Sequence, residues 1–94
     1  MEKLPKTADL LVPTLQVLSN GGPLKHYEIE REVIRLLQIP DDLSNQVRQG
    51  NRTELGYRLS WARTRAKSLN LISRSPNGEW QIVEKGKDFL KTQS

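Results

Sequence analysis

The stretch from Thr53 to Leu69 constrains this chain more than any other. Leu55, Leu59, Ala62, Ala66 and Leu69 recur at steps of four, three, four and three. That spacing places one apolar stripe along one face of a helix. On the helical wheel Tyr57, Ser60, Thr64 and Lys67 fall opposite the stripe. Arg58, Trp61 and Arg65 lie along one flank and Arg63 lies on the other. Such a helix seats itself with aliphatic groups and turns cations, hydroxyls and aromatics outward. A rod about ten ångströms wide with that face fits the major groove of a duplex. Charges on an amphipathic helix can equally mean only a solvated face, so the flanking chain has to decide.

Charge placement favours the first reading. The 94 residues carry a net charge of +4. Residues 1–47 hold five Lys and Arg against seven Asp and Glu; residues 48–94 hold ten against four. The cationic half is the half containing the organising helix. Polarised positive charge favours a polyanion, through phosphate contacts and counterion release. No segment has the leucine and aromatic face of an interfacial helix, and no apolar run reaches the length of a membrane span. The length suits a single domain over residues 1–94. With no cysteine, disulfides and thiolate metal sites are excluded. That absence is compatible with a cytoplasmic location.

The remaining elements follow in order. The first six residues read as a frayed end. Thr7 is positioned to cap a helix with the stripe Leu10, Leu11, Leu15 and Leu18. Pro13 inside it predicts either a kink or a short first turn followed by the main helix. Asn20-Gly21-Gly22-Pro23 ends that helix. Leu24-Lys25 reads as a very short strand. A second helix is expected over His26–Gln38, with Ile29, Val33, Leu36 and Leu37 as its buried side. The single histidine, at the helix start, reads as a surface or capping residue. Pro40-Asp41-Asp42-Leu43 opens one helical turn, whose carboxylates favour the helix start. Gln49 to Arg52 reads as a loop, and Thr53 caps the organising helix. Asn70 is suited to a left-handed cap. Leu71–Arg74 and Glu79–Val83 form a hairpin around Asn77-Gly78, and Glu84–Lys91 forms a last helix anchored by Phe89 and Leu90.

Two helices, a third cationic one, a hairpin and a closing helix make a mainly α chain with a small β-hairpin. That is the winged helix, a helix-turn-helix variant with a three-helix core, a wing and a C-terminal helix. Trp61 and Trp80 are expected to pack the third helix against the wing rather than stack on bases.

Certain runs carry a resemblance. Leu59-Ser60-Trp61-Ala62-Arg63-Thr64-Arg65-Ala66-Lys67-Ser68-Leu69-Asn70-Leu71-Ile72 is similar to the N-terminal domain of Mrr-type restriction proteins. So are Gly78-Glu79-Trp80-Gln81-Ile82, Glu84-Lys85-Gly86 and the opening Leu10–Leu18 with its internal proline. Asn70 stands where that family usually has Gly, and Val83 where it often has Thr. The resemblance implies a winged-helix DNA-binding module, joined in the full-length family to a C-terminal PD-(D/E)XK nuclease domain. Those enzymes are type IV restriction endonucleases that cut methylated foreign DNA. This chain contains no PD…(D/E)XK constellation, so the expectation is a DNA-binding domain without catalysis, cofactor or metal.

The candidate contacts to double-stranded DNA are Arg58, Arg63, Arg65 and Lys67, with Tyr57, Ser60 and Thr64 on the same face. Arg52 and Arg74 are flanking phosphate clamps. The alternative is a winged-helix module for protein interaction or self-association, such as a homodimer, without direct DNA contact.

Overall fold

A computed structural model describes residues 3–93. The elements are α1 (Leu11–Gly21), α2 (His26–Leu37), α3 (Asp41–Ser44), β1 (Val47–Gln49), β2 (Arg52–Thr53), α4 (Glu54–Ser68), β3 (Ile72–Arg74), β4 (Trp80–Ile82) and α5 (Glu84–Thr92). A 3-10 turn, Thr7–Leu10, precedes α1. Helix α4 packs against that turn, α1 and α2, and β3 and β4 form an antiparallel hairpin beside it. The architecture is a winged helix, mainly α with a small β-hairpin and a closing helix.

The core is one aliphatic cluster. Leu10, Leu15 and Leu18 meet Ile29 and Val33 of α2, and Leu55, Leu59, Ala62 and Ala66 of α4, all at most 1% exposed. Pro13 resolves as a short first turn followed by the main helix. Proline is the third residue of α1, where its missing N–H would have no intrahelical partner. The fully buried Thr14 hydroxyl donates to the Leu10 carbonyl at 2.7 Å, so no polar group is stranded there. Thr7 does not cap α1: it lies within the 3-10 turn, whose cap position is Lys6 without a side-chain bond.

Three expectations shift. The segment before Thr7 is not wholly frayed, because Leu4 is buried in the core. A lone leucine has no periodicity, so the sequence offered no signal. In α2, Leu36 is 44% exposed, and Ile34 instead packs partly against the core. Third, Gln49–Arg52 is not a plain loop. Val47–Gln49 and Arg52–Thr53 pair antiparallel, with Val47 opposite Thr53, and Gly50 turns the chain at φ +58°. All three β1 residues are exposed, so no apolar alternation announced the strand.

Helices α2 and α4 stop in the same way. Gln38 and Asn70 adopt φ +54° and +62°. The next residue's N–H reaches back five positions, Ile39 to the Ile34 carbonyl and Leu71 to the Ala66 carbonyl, at 3.0 and 2.9 Å. Ile39 and Leu71 are themselves buried, which completes a Schellman motif at each end. Beyond Asn70 the wing runs Ile72–Arg74, turns through Ser75–Gly78, and returns at Trp80–Ile82. Leu24 bridges Trp80, tying the α1–α2 connection to the wing.

The wing and α5 meet at one carbonyl. Leu71 O accepts the Val83 N–H at 3.1 Å. A Cβ on Gly86 would overlap that same oxygen and stand 2.7 Å from Ile82 Cγ1. Gly86 is therefore what lets α5 lie this close to the root of the wing. We expect Gly86→Ala to lower stability by about 1–3 kcal/mol, despite alanine's better helix propensity. Thermal or urea unfolding followed by circular dichroism measures this; an unchanged or higher midpoint would show that α5 does not need the close approach.

Candidate nucleic-acid interface

Burial of Leu55, Leu59, Ala62 and Ala66 fixes the rotation of α4. Tyr57, Ser60, Thr64 and Lys67 then face away from the core, with Thr64 and Lys67 exposed. The helix start is anchored by Thr53, whose hydroxyl accepts the Gly56 N–H and donates to Glu30 Oε2, each at 2.9 Å. One side chain thus caps α4 and ties it to α2.

At this end the β1–β2 hairpin brings two arginines onto one ring. Arg48 Cζ lies 3.5 Å from the Tyr57 ring centroid and Arg52 Cζ lies 5.4 Å away. Arg52 also donates to Ser60 Oγ at 3.1 Å. Halfway along the helix the pattern repeats on the wing. Arg63 and Arg74 stand over the Trp80 ring at 5.6 and 5.4 Å. Near the far end Lys67 and Arg74 line one depression with Ser75, Pro76 and Gly78.

Arg63 is the most constrained of these cations. It lines a polar cleft with His26, Glu30, Asn51, Arg52, Thr53 and Gly56. Its Nε is buried and has no hydrogen-bond partner. Burial first, and then the like charges of Arg52 and Arg74, lower its pKa, while Glu30 opposes the shift. The guanidinium keeps its charge, yet it is under-solvated and crowded by its own sign. An incoming anion at the accessible edge of the guanidinium would relieve the crowding of like charge.

The expected site residues therefore divide. Arg52, Tyr57, Ser60, Arg63, Thr64, Lys67 and Arg74 share the outward face of α4 and its wing side. Arg65 is exposed on the opposite flank, in a groove with Thr7, Ala8, Leu11, Trp61 and Ala62. Arg58 is turned to structural work. Its Nε binds Glu54 at 2.9 Å, and Nη1 donates to the carbonyls of Leu4 and Pro5 at 3.2 and 3.0 Å. The bond pins the N-terminal segment onto α4.

The two tryptophans part company. Trp80 packs partly against the core on the wing. Trp61 does not pack α4 against the wing, because it lies on the other flank and is 53% exposed. The helical wheel already separated it from Arg63, which is the residue the wing covers. Arg48 escaped the sequence reading altogether. Its signal was an arginine four residues before another, ahead of an aromatic, and only the unrecognised hairpin brings all three together.

Among the described residues no three His, Cys, Asp or Glu side chains are placed to hold a metal ion. No helix among them is long and apolar enough to cross a membrane. Residues 8–92 match the sequence model of a protein family described as the Mrr N-terminal domain. No curated protein and no solved structure matches the chain.

Two outcomes follow from the Arg58 bracket. Arg58→Ala should destabilise the fold by about 1–2 kcal/mol through the two lost carbonyl bonds, measurable by denaturant melts. Pairing with Arg58 first, and Arg48 second, holds the Glu54 carboxyl below its ordinary range. A lowered carboxylate stabilises above its unfolded pKa and loses that contribution as pH falls through its folded one. Glu54→Gln should therefore flatten the acid side of the stability–pH curve and leave its neutral shape alone.

Proposed function

The chain belongs to the Mrr N-terminal domain family, and from that premise we propose that it binds double-stranded DNA as the recognition module of a restriction-system protein directed at modified DNA. The observation that carries this reading is the convergence of Arg52, Arg63 and Arg74, with Arg63 buried at Nε and unpartnered there. A protein gains nothing in stability from crowding two exposed guanidiniums around a partly buried one. Phosphates of a duplex backbone lying along these cations offer acceptors to their accessible guanidinium nitrogens and screen the repulsion.

The outward face of α4 enters the major groove, and the wing follows the backbone. Arg52, Arg63, Lys67 and Arg74 make the phosphate contacts, with Arg65 reaching the backbone from the far flank. Tyr57, Ser60 and Thr64 face the base edges. Most of these contacts position the protein rather than read sequence, so binding to unmodified duplexes is tolerant of sequence. A 5-methyl group on a base lies in the major groove, where the methyl of the exposed Thr64 is the apolar group that can meet it. No catalytic step is assigned to this chain; in the resembling full-length proteins cleavage belongs to a separate domain.

A second reading has an observation of its own. The groove beside the half-exposed Trp61 is an apolar surface on the flank away from the wing. A protein contact there, including a second copy of the chain, is compatible with DNA on the wing side. Trp61→Ala removes it; sedimentation equilibrium before and after the substitution tests it.

Anisotropy titrations with duplexes of one sequence, methylated and unmodified, over a salt series test the main reading. Arg63→Ala should weaken binding and lower the slope of log K against log salt by roughly one unit. Tighter binding of the methylated duplex supports the modified-DNA assignment. Absence of binding to either duplex at low salt would overturn the reading.

A further inference from the structure

We infer that the β1–β2 hairpin is a second DNA-gripping wing, with Arg48 as its phosphate contact, facing the opposite wall of the major groove from the β3–β4 wing. This rests on the double-stranded DNA reading above and adds a position to it.

The argument begins with where the cations lie along α4. One cluster sits at Tyr57, where Arg48 and Arg52 stand over the ring. The other sits at Lys67, beside Arg74 at the tip of the wing. Ten residues of helix separate Tyr57 from Lys67, a distance of about 15 Å. The major groove is about 12 Å across. Cations borne on two hairpins, one at the start of α4 and one beside its later turns, with the outward face of the helix between them, suit the two phosphate ridges that border one groove.

The hairpin itself has features that a mere linker does not need. Every residue from 45 to 52 is exposed, and Val47 remains 67% so. Nothing in the core holds Arg48; Tyr57 and Glu54 do, the latter by an ion pair at 3.0 Å. Stacking on the ring restricts the guanidinium to a few rotamers, so less freedom is lost when a phosphate binds. Glu54 is shared with Arg58 as well, so one carboxylate answers two guanidiniums, and Arg52 nearby donates only to a hydroxyl. The cluster keeps an excess of positive charge facing solvent. Arg48 can also exchange Glu54 for a phosphate without leaving that carboxylate unpaired, because Arg58 keeps it.

The test uses the 94-residue chain with four variants, checked by circular dichroism: Arg48→Ala, Arg48→Lys, Arg74→Ala and Glu54→Gln. For Arg48→Ala the slope of log K against log salt should fall by about 0.9 on every duplex sequence. Arg48→Lys keeps the charge and should restore most of that slope, which a purely packing role on Tyr57 would not predict. Glu54→Gln frees Arg48 from its carboxylate and should tighten binding. Phosphate-ethylation interference on both strands should reveal two clusters of contacts flanking one major groove. Arg48→Ala should erase one cluster and Arg74→Ala the other. If the wild-type chain binds DNA and Arg48→Ala leaves slope and interference pattern unchanged, the second-wing assignment falls while the DNA reading stands. If both variants erase the same cluster, the two hairpins do not lie on opposite walls. If no duplex binds the wild-type chain at low salt, both proposals fail together.

Discussion

Everything on the surface of this small domain depends on burying one stripe of α4. Leu55, Leu59, Ala62 and Ala66 are inaccessible, and once they are seated the helix has no rotational freedom left. Two of the four are alanines, which fill little volume and let the 3-10 turn and α1 approach closely. The opposite face is then determined: Tyr57, Ser60, Thr64 and Lys67 must look outward. A quarter-turn of the helix would take Arg63 out of its cleft and press Thr64 or Lys67 into it. The hydrophobic effect, which has no direction of its own, here sets the direction of every charged group.

Around that helix, aromatic rings organise the cations. Tyr57 gathers Arg48 and Arg52, and Trp80 gathers Arg63 and Arg74. Carboxylates are used sparingly and for other purposes. Glu54 ties β1 to the start of α4 and steadies Arg58, which holds the N-terminal segment, and Glu30 supports the capping threonine. Rings hold guanidiniums in place without neutralising them, whereas acids do both. Arg52, Arg63 and Arg74 are thus ordered by rings rather than by ion pairs, while Arg48 shares Glu54 with Arg58, and ordered positive charge is what a phosphate backbone rewards.

Much of this was legible in the sequence, and the parts that were not share a cause. The stripe of α4, the glycine end of α1, the left-handed Asn70 and the wing at Asn77-Gly78 all have local signatures, and the structure contains each. The β1–β2 hairpin has no apolar alternation to announce it: its strands are three and two residues long, and all but Thr53 are exposed. Leu4 and the Arg58 bracket were missed because they link positions more than fifty residues apart. Trp61 lies on the flank away from the wing, half-exposed beside Leu11 and Arg65, and the helical wheel already separates it from Arg63. For the site, the sequence indicated which cations share a helix. Which of them are spent inside the fold and which stay available for a ligand needed three dimensions.

The shared carbonyl of Leu71 has a mechanical consequence. A hairpin hung from a flexible root would swing independently of the body. This one receives the Val83 amide at its base and has α5 pressed against the same oxygen through the bare Cα of Gly86. It behaves as a bracket bolted to a beam rather than as a flap. Helix α5 in turn packs against α1, so a load applied at the tip near Arg74 has a path through α5 into the body of the domain. Whatever displaces the tip of the ribbon therefore leans on the final helix of the domain as well.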